Sequence, residues 1–218
     1  MTEFLFFFSG HGDVAEGEGY ILLEDRRLTR TLLYDAVLTK VPSHRNHVLV
    51  DACKSYFLAF ERGPGGRRAS YPHSFARQAS PAELKNTGFV LSTSSDRESH
   101  EWERYQAGVF SHEVRSALRG AADADGDGQV TYAELGAFLK TANENISNAR
   151  FRPDFIVRPP GPRPGKPGQA LLSWTRRENA VALDDGRVGH VYIESGAGER
   201  LADANAAKGQ RLVLHVPS

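Results

Sequence analysis

Three short runs of uninterrupted apolar residues constrain this chain more than any other feature: Phe4 to Phe8, Val48 to Val50 and Phe89 to Leu91. None alternates apolar with polar residues. Each therefore reads as a strand buried on both faces, as strands inside a parallel sheet are. Between the first two runs, the stretch from Leu28 to Val37 places its apolar residues at helical spacing. Strand, helix and strand in that order predict a right-handed βαβ unit with parallel strands. After the third run, Phe110, Val114, Ala117 and Leu118 share one helical face, and Leu135, Phe138, Leu139, Ala142 and Ile146 share another. The expected class through Ile146 is α/β.

Residues 158–168, with five prolines and three glycines in a row of eleven, suit neither a helix nor a central strand. They predict a semi-rigid linker. Beyond it, Ala170 to Trp174, Val188 to Ile193 and Arg211 to Val216 predict strands separated by glycine-containing turns. The expected organisation is an α/β domain over 1–157, a linker over 158–168 and a small β module over 169–218. A module that small needs something to dock on.

Composition narrows the function classes. Hydrophobic residues make up 40% of the 218, enough for a real core. Lys+Arg and Asp+Glu balance at 27 each, so no nucleic-acid partner is expected. No apolar stretch approaches the roughly 20 residues of a membrane span, and the apolar start lacks the basic flank and cleavage site of a signal peptide. The single cysteine excludes an intrachain disulfide and fits a reducing, cytoplasmic setting.

Two motifs carry chemistry. Ser9-Gly10-His11-Gly12-Asp13 follows the first run, and Asp51-Ala52-Cys53-Lys54-Ser55 follows the second. In open α/β sheets, sites assemble beyond the carboxyl ends of the strands, and adjacent strands lie only about 4.8 Å apart. A cysteine thiol, with a pKa near 8.5, needs a basic partner to act as a nucleophile at neutral pH. Cys53 and His11 can supply that pair. The glycines around His11 permit a turn that aims a backbone N–H at a developing oxyanion. Singly, a cysteine after a strand is usually a buried thiol and a histidine between glycines a loop residue; together, at the two strand ends of one βαβ unit, they point to a dyad.

The two motifs resemble those of the caspase/metacaspase family of cysteine peptidases, its bacterial members especially. Further similarity lies in Gly88-Phe89-Val90-Leu91-Ser92-Thr93-Ser94-Ser95 and Gly108-Val109-Phe110-Ser111. The resemblance implies a three-layer α/β/α caspase-like sheet and protein or peptide substrates. It implies Cys53 as nucleophile, His11 as general acid/base, and the N–H groups of Gly12 and Cys53 as oxyanion hole. Ser9 and Asp51 would line the pocket for the residue before the scissile bond, and Ser92 and Ser94 would flank the substrate strand. Lys54 and Tyr56 stand where bacterial relatives carry His and Gly. The two strands and helix that open the family's fold are absent before His11, so a further N-terminal segment or another chain is expected to complete the sheet. A catalytically silent module that binds calcium and partners, and a different Cys/His hydrolase on a similar sheet, stay open as alternatives.

Asp51 stands two residues before Cys53, and residues i and i+2 of a strand share a face. Its carboxylate should therefore face the same pocket and favour cleavage after Arg or Lys. The Gly- and Arg-rich loop at 61–80 is the expected site of self-cleavage.

Asp123 to Glu134 matches an EF-hand loop. Asp123, Asp125 and Asp127 offer side-chain oxygens, Gln129 its carbonyl, Glu134 a bidentate closure and Gly128 the sharp turn. Ca2+ is the expected ion, with a capped, solvated turn as the alternative. The remaining histidines show no metal spacing, Trp102 reads as packing, and Glu16/Glu18 and Asp184/Asp185 read as solvated turn residues.

Overall fold

A computed structural model describes residues 2–59, 85–92, 101–102, 107–146, 148, 152–161, 170–173, 179–183, 186, 189–209 and 211–216. Ser94, the loop at 61–80 and the pair Asp184/Asp185 lie outside the described residues, as does the side chain of Trp102. In chain order the first elements are β1 (Glu3–Ser9), β2 (Gly12–Ala15), β3 (Glu18–Leu22), β4 (Arg27–Thr29), α1 (Arg30–Leu32), β5 (Arg45–Asp51), α2 (Tyr56–Ala59) and β6 (Thr87–Ser92). Then follow β7 (Glu101–Trp102), β8 (Ala107–Gly108), α3 (Val109–Ser116), β9 (Gln129–Thr131), α4 (Tyr132–Asn145) and β10 (Phe155–Arg158). The chain closes with β11 (Ala170–Ser173), β12 (Ala180–Leu183), β13 (Gly189–Glu194), β14 (Arg200–Ala206) and β15 (Leu212–His215).

These elements form two compact units, Met1–Ser99 with Pro153–Lys166, and His100–Arg152 with Pro167–Ser218. The first is built on a sheet of order β1-β5-β6-β10. The three apolar runs are its parallel strands: β1 pairs β5 from Glu3↔Arg45 to Ser9↔Asp51, and β5 pairs β6 from Asn46↔Thr87 to Val50↔Leu91. The fourth strand, β10, joins antiparallel to β6.

Both β5 and β6 are buried along their whole length, as continuous apolar runs require. Val48, Val50, Phe89 and Leu91 are fully buried and pack with Leu33 and Tyr34 in one core. Each such side chain stabilises the fold by about 1.5–3 kcal/mol. Strand β1 departs from the expectation of burial on both faces. Phe4, Phe6 and Phe8 pack against the core, whereas Leu5 and Phe7 are 58% and 56% exposed. The reason is position: among the described residues β1 is one of the two edge strands of the sheet, and its Leu5 and Phe7 face is left uncovered.

Between β1 and the helix lies an antiparallel sheet, β2-β3-β4, that the apolar pattern did not announce. Its β2–β3 hairpin turns at Glu16 and Gly17, both with positive φ (53° and 83°), the twist that two-residue hairpin loops demand. Glu18 is not a solvated turn residue, because its carboxylate accepts the backbone N–H of Thr31. Thr29 caps α1 by accepting the Leu32 N–H at 3.3 Å, and the helix continues as wider π turns over Leu33–Leu38. Burial pushes the Tyr34 hydroxyl up to about 12, its ring stacked at 6.4 Å on Phe89.

In the second unit, α3 runs into π turns over Ala117–Ala121, and α4 begins with a capping box between Thr131 and Glu134. The short strand β9, inside the calcium-type loop, pairs antiparallel with β11. Two further antiparallel pairs, β12 with β15 and β13 with β14, supply Leu183, Val191, Ile193, Ala204, Leu212 and Leu214 to a core with Ala121 and Phe138. The C-terminal strands thus group with α3, the acidic loop and α4, rather than forming the separate module expected beyond the linker. Gly120 fixes one seam: its φ is +107° and a Cβ there would meet the Val213 carbonyl oxygen at 2.2 Å.

A second seam is polar. Asp203 accepts from His112 on α3 and His190 on β13, both at 2.7 Å, and from Arg200 at 2.8 Å. The Arg115 guanidinium lies 3.1 Å from His112 Nδ1 and can only donate, so His112 Nε2 carries the proton given to Asp203. These histidines, discounted as metal ligands from their spacing, hold a strand pair to a helix. Among the described residues, no helix is long and apolar enough to cross a membrane.

Candidate active site

The in-register pairing of β1 with β5 sets Ser9 beside Asp51 on the last rung, with both strands pointing the same way. The chain leaves that rung twice, into the loop carrying His11 and into the turn carrying Cys53. His11 is exposed and Cys53 half-buried. The Gly10 N–H donates to the Asp51 carbonyl at 3.0 Å, extending the pairing one residue beyond β1. The His11 carbonyl accepts the Leu22 N–H at 2.9 Å, which ties the histidine loop to the end of β3.

Gly12 packs tightly against the cysteine turn. A Cβ there would lie 2.6 Å from the Cys53 carbonyl oxygen and 3.1 Å from the Ala52 side chain. No larger residue fits without moving one loop, so the glycine after the histidine is a requirement of approach. The cysteine turn is anchored on its other side. The Ser55 hydroxyl, fully buried, donates to the carbonyl of Ser92 at the end of β6, and the Ser55 N–H closes the turn on Ala52 at 3.3 Å. Ser92, expected along the substrate path, is buried.

Strand alternation does not extend from Asp51 to Cys53, because β5 ends at Asp51 and Cys53 lies in the turn beyond it. Asp51 is buried, only 6% exposed, while its rung partner Ser9 is open to solvent.

One pair of residues was missed in the sequence. Lys54 Nζ donates to Asp13 Oδ1 at 2.7 Å, joining the residue after the nucleophile candidate to the residue two beyond the histidine. The same oxygen accepts the Val14 N–H at 2.8 Å. The Lys54 hydrogen bond first, then that of Val14, holds the Asp13 carboxyl below the usual carboxylate range. Opposite charges at these offsets from His11 and Cys53 were the available signal, legible only once the two strands are set in parallel.

The acidic loop is a second candidate site. Oxygens of Asp123, Asp125 and Glu134 converge within 4.8 Å of one another. Glu134 reaches back from α4 to accept the Ala124 N–H at 3.1 Å and the Thr131 N–H at 2.9 Å. Asp123 accepts from Gly126 and Gly128, whose φ values of 75° and 83° make the turn. Burial first, then the charges of Asp127 and Glu134, push the Asp123 carboxyl up against the pull of those two N–H groups. Asp127 and Gln129, the other expected ligands, bond to one another through Gln129 Nε2 and Asp127 Oδ2 at 2.9 Å. The donor set is all oxygen, the chemistry a hard divalent cation requires.

A family model described as Caspase domain matches residues 2–163. No curated protein matches the chain.

Proposed function

The chain belongs to the caspase-domain family, and from that premise we propose that it is a cysteine endopeptidase with Cys53 as nucleophile and His11 as general acid/base. The family is one of cysteine peptidases, whose substrates are proteins, and the fold is its α/β fold. The observation that carries the assignment of residues is the register of β1 and β5, which sets the histidine and cysteine loops side by side with Gly12 against the Cys53 carbonyl.

The chemistry follows from those positions. His11 takes the thiol proton of Cys53, and the sulfur attacks the carbonyl carbon of the scissile peptide bond. Backbone N–H groups of Gly12 and Cys53 receive the oxyanion. The C–N bond breaks as His11 returns the proton to the leaving amine, and water, deprotonated by His11, hydrolyses the thioester. Asp51 and Ser9 flank the pocket for the residue before the cut, where a carboxylate favours Arg or Lys.

The test is covalent labelling with a peptidyl electrophile ending in Arg, read by intact mass. One adduct on the wild type, absent in Cys53→Ala and much slower in His11→Ala, supports the reading. Equal labelling of wild type and His11→Ala refutes the dyad.

We further propose that residues 123–134 hold a calcium ion, through Asp123, Asp125 and Glu134 with Asp127 and the Gln129 carbonyl completing the set. The converging oxygens support this reading. Bound there, the ion supplies charge that offsets the repulsion among the carboxylates and joins the loop to the start of α4. No step of peptide cleavage depends on it.

A further inference from the structure

The residue after the nucleophile candidate is in an unusual state. Lys54 has φ +54°, the left-handed region, which non-glycine residues enter at a cost and keep only where their surroundings hold them. A glycine would satisfy the turn without strain. A lysine there directs its ammonium to Asp13 at 2.7 Å, on the loop that carries His11. Arg27 also faces Asp13 from β4, but it lies over the Tyr20 ring at 4.4 Å, and Lys54 makes the hydrogen bond.

We infer that Lys54 and Asp13 form a positioning clamp that holds the His11 loop against the Cys53 turn. This inference rests on the proposed dyad. The side chains of the pair are 37% and 51% exposed, so it adds little to global stability; its effect is on the geometry of the two loops. The Gly10–Asp51 hydrogen bond pins the loop before His11. The clamp pins it after His11, so the histidine is held from both sides. Being exposed, the clamp is open to screening by salt.

Cys53 is the single cysteine of the chain, so its alkylation by iodoacetamide as a function of pH reports this site alone, in the full-length protein and without any substrate. Relative to the wild-type profile, His11→Ala should move alkylation to higher pH, because the thiol loses its base. Asp13→Asn is the decisive variant. A clamp predicts that its profile moves up as well, by about one pH unit, because the imidazole loses its place beside the thiol. A direct electrostatic effect of Lys54 predicts the reverse, since the freed ammonium would stabilise the thiolate. Lys54→Gly, which suits the backbone, should follow Asp13→Asn, whereas Lys54→Arg and the exchange Asp13→Lys with Lys54→Asp should restore the wild-type profile. High salt should move the wild type toward Asp13→Asn. A profile unchanged or lowered in Asp13→Asn, with His11→Ala shifted, overturns the clamp and leaves the dyad. An unshifted His11→Ala overturns the dyad and the clamp together.

Discussion

Gly12 rests against the carbonyl of Cys53 so closely that a single added methyl group would lie 2.6 Å from its oxygen. That contact fixes how near the two strand-end loops can come, and it makes a specific demand on substitution. In Gly12→Ala the loops must separate by several tenths of an ångström or more. Misplacements of about 1 Å cost roughly 100-fold in rate where a nucleophile and base must align. Turnover of an Arg-ended peptide should fall by about that factor, with the melting temperature lowered only modestly because the loops are peripheral to the core. Activity within twofold of wild type would show that this approach does not set the site.

The calcium-type loop should answer to mass action. A ligand held by the native state alone, at 100 times its dissociation constant, raises stability by about 2.7 kcal/mol. Melting curves with calcium and with chelator should therefore separate, and the separation should vanish in Asp123→Ala. Strand β9 lies at the end of this loop and pairs with β11, so hydrogen exchange at Gln129, Val130 and Leu172 should slow with calcium. Coincident curves and exchange rates would leave only a capped turn.

How much of this was legible in the sequence depends on what each strand buries. The runs at Val48–Val50 and Phe89–Leu91 announced themselves because β5 and β6 are covered on both faces. The equally apolar β1 misled, since an edge strand can carry Leu5 and Phe7 into solvent with the same letters. Strand β14 was invisible for the opposite reason. Its inward side is Arg200, Ala202, Ala204 and Ala206, and alanine carries neither the bulk nor the β preference that marks a strand. The β2–β3 hairpin hid behind Glu16, an unusual residue for a positive-φ turn position that favours Asn, Asp or Gly. The loops of His11 and Cys53, just past the ends of neighbouring parallel strands, were readable from the strand pattern. Asp13 and Lys54 were not, because an ion pair between residues 41 apart exists only after the strands are paired.

The Asp203 seam predicts a pH dependence of stability with a definite sign. Burial alone would raise this carboxyl, but the hydrogen bond from His112 and the charge and hydrogen bond of Arg200 outweigh it and hold the group below its ordinary 3.8. A carboxyl depressed in the folded state contributes stability that is complete above the unfolded value and is lost as pH falls through the folded one. Urea denaturation should thus show a stability loss between about pH 5 and pH 2 that is smaller in Asp203→Asn. The variant should also be less stable at neutral pH, because His112 and His190 then share a weaker acceptor. Parallel pH curves for the two proteins would contradict the assignment.

The proposed specificity for Arg or Lys before the cut turns on Asp51. Asp51 pairs with Ser9 on the last shared rung of β1 and β5, and it is buried while Ser9 is open to solvent. A carboxylate facing the proposed pocket would pair with a guanidinium or ammonium group and repel an acidic side chain. Hydrogen bonds to charged groups contribute about 1.5–3 kcal/mol, which corresponds to roughly 10- to 150-fold in kcat/KM. Asp51→Asn should lose about that much toward Arg-ended peptides while gaining nothing toward peptides ending in Leu. Because Asp51 also lends its carbonyl to the Gly10 N–H, which the substitution leaves in place, the histidine loop should keep its position. An unchanged Cys53 alkylation profile in Asp51→Asn would verify that. Profiling of the wild type against a peptide library then decides the matter: cleavage after Arg and Lys places the carboxylate in the pocket, and cleavage confined to acidic residues removes Asp51 from it.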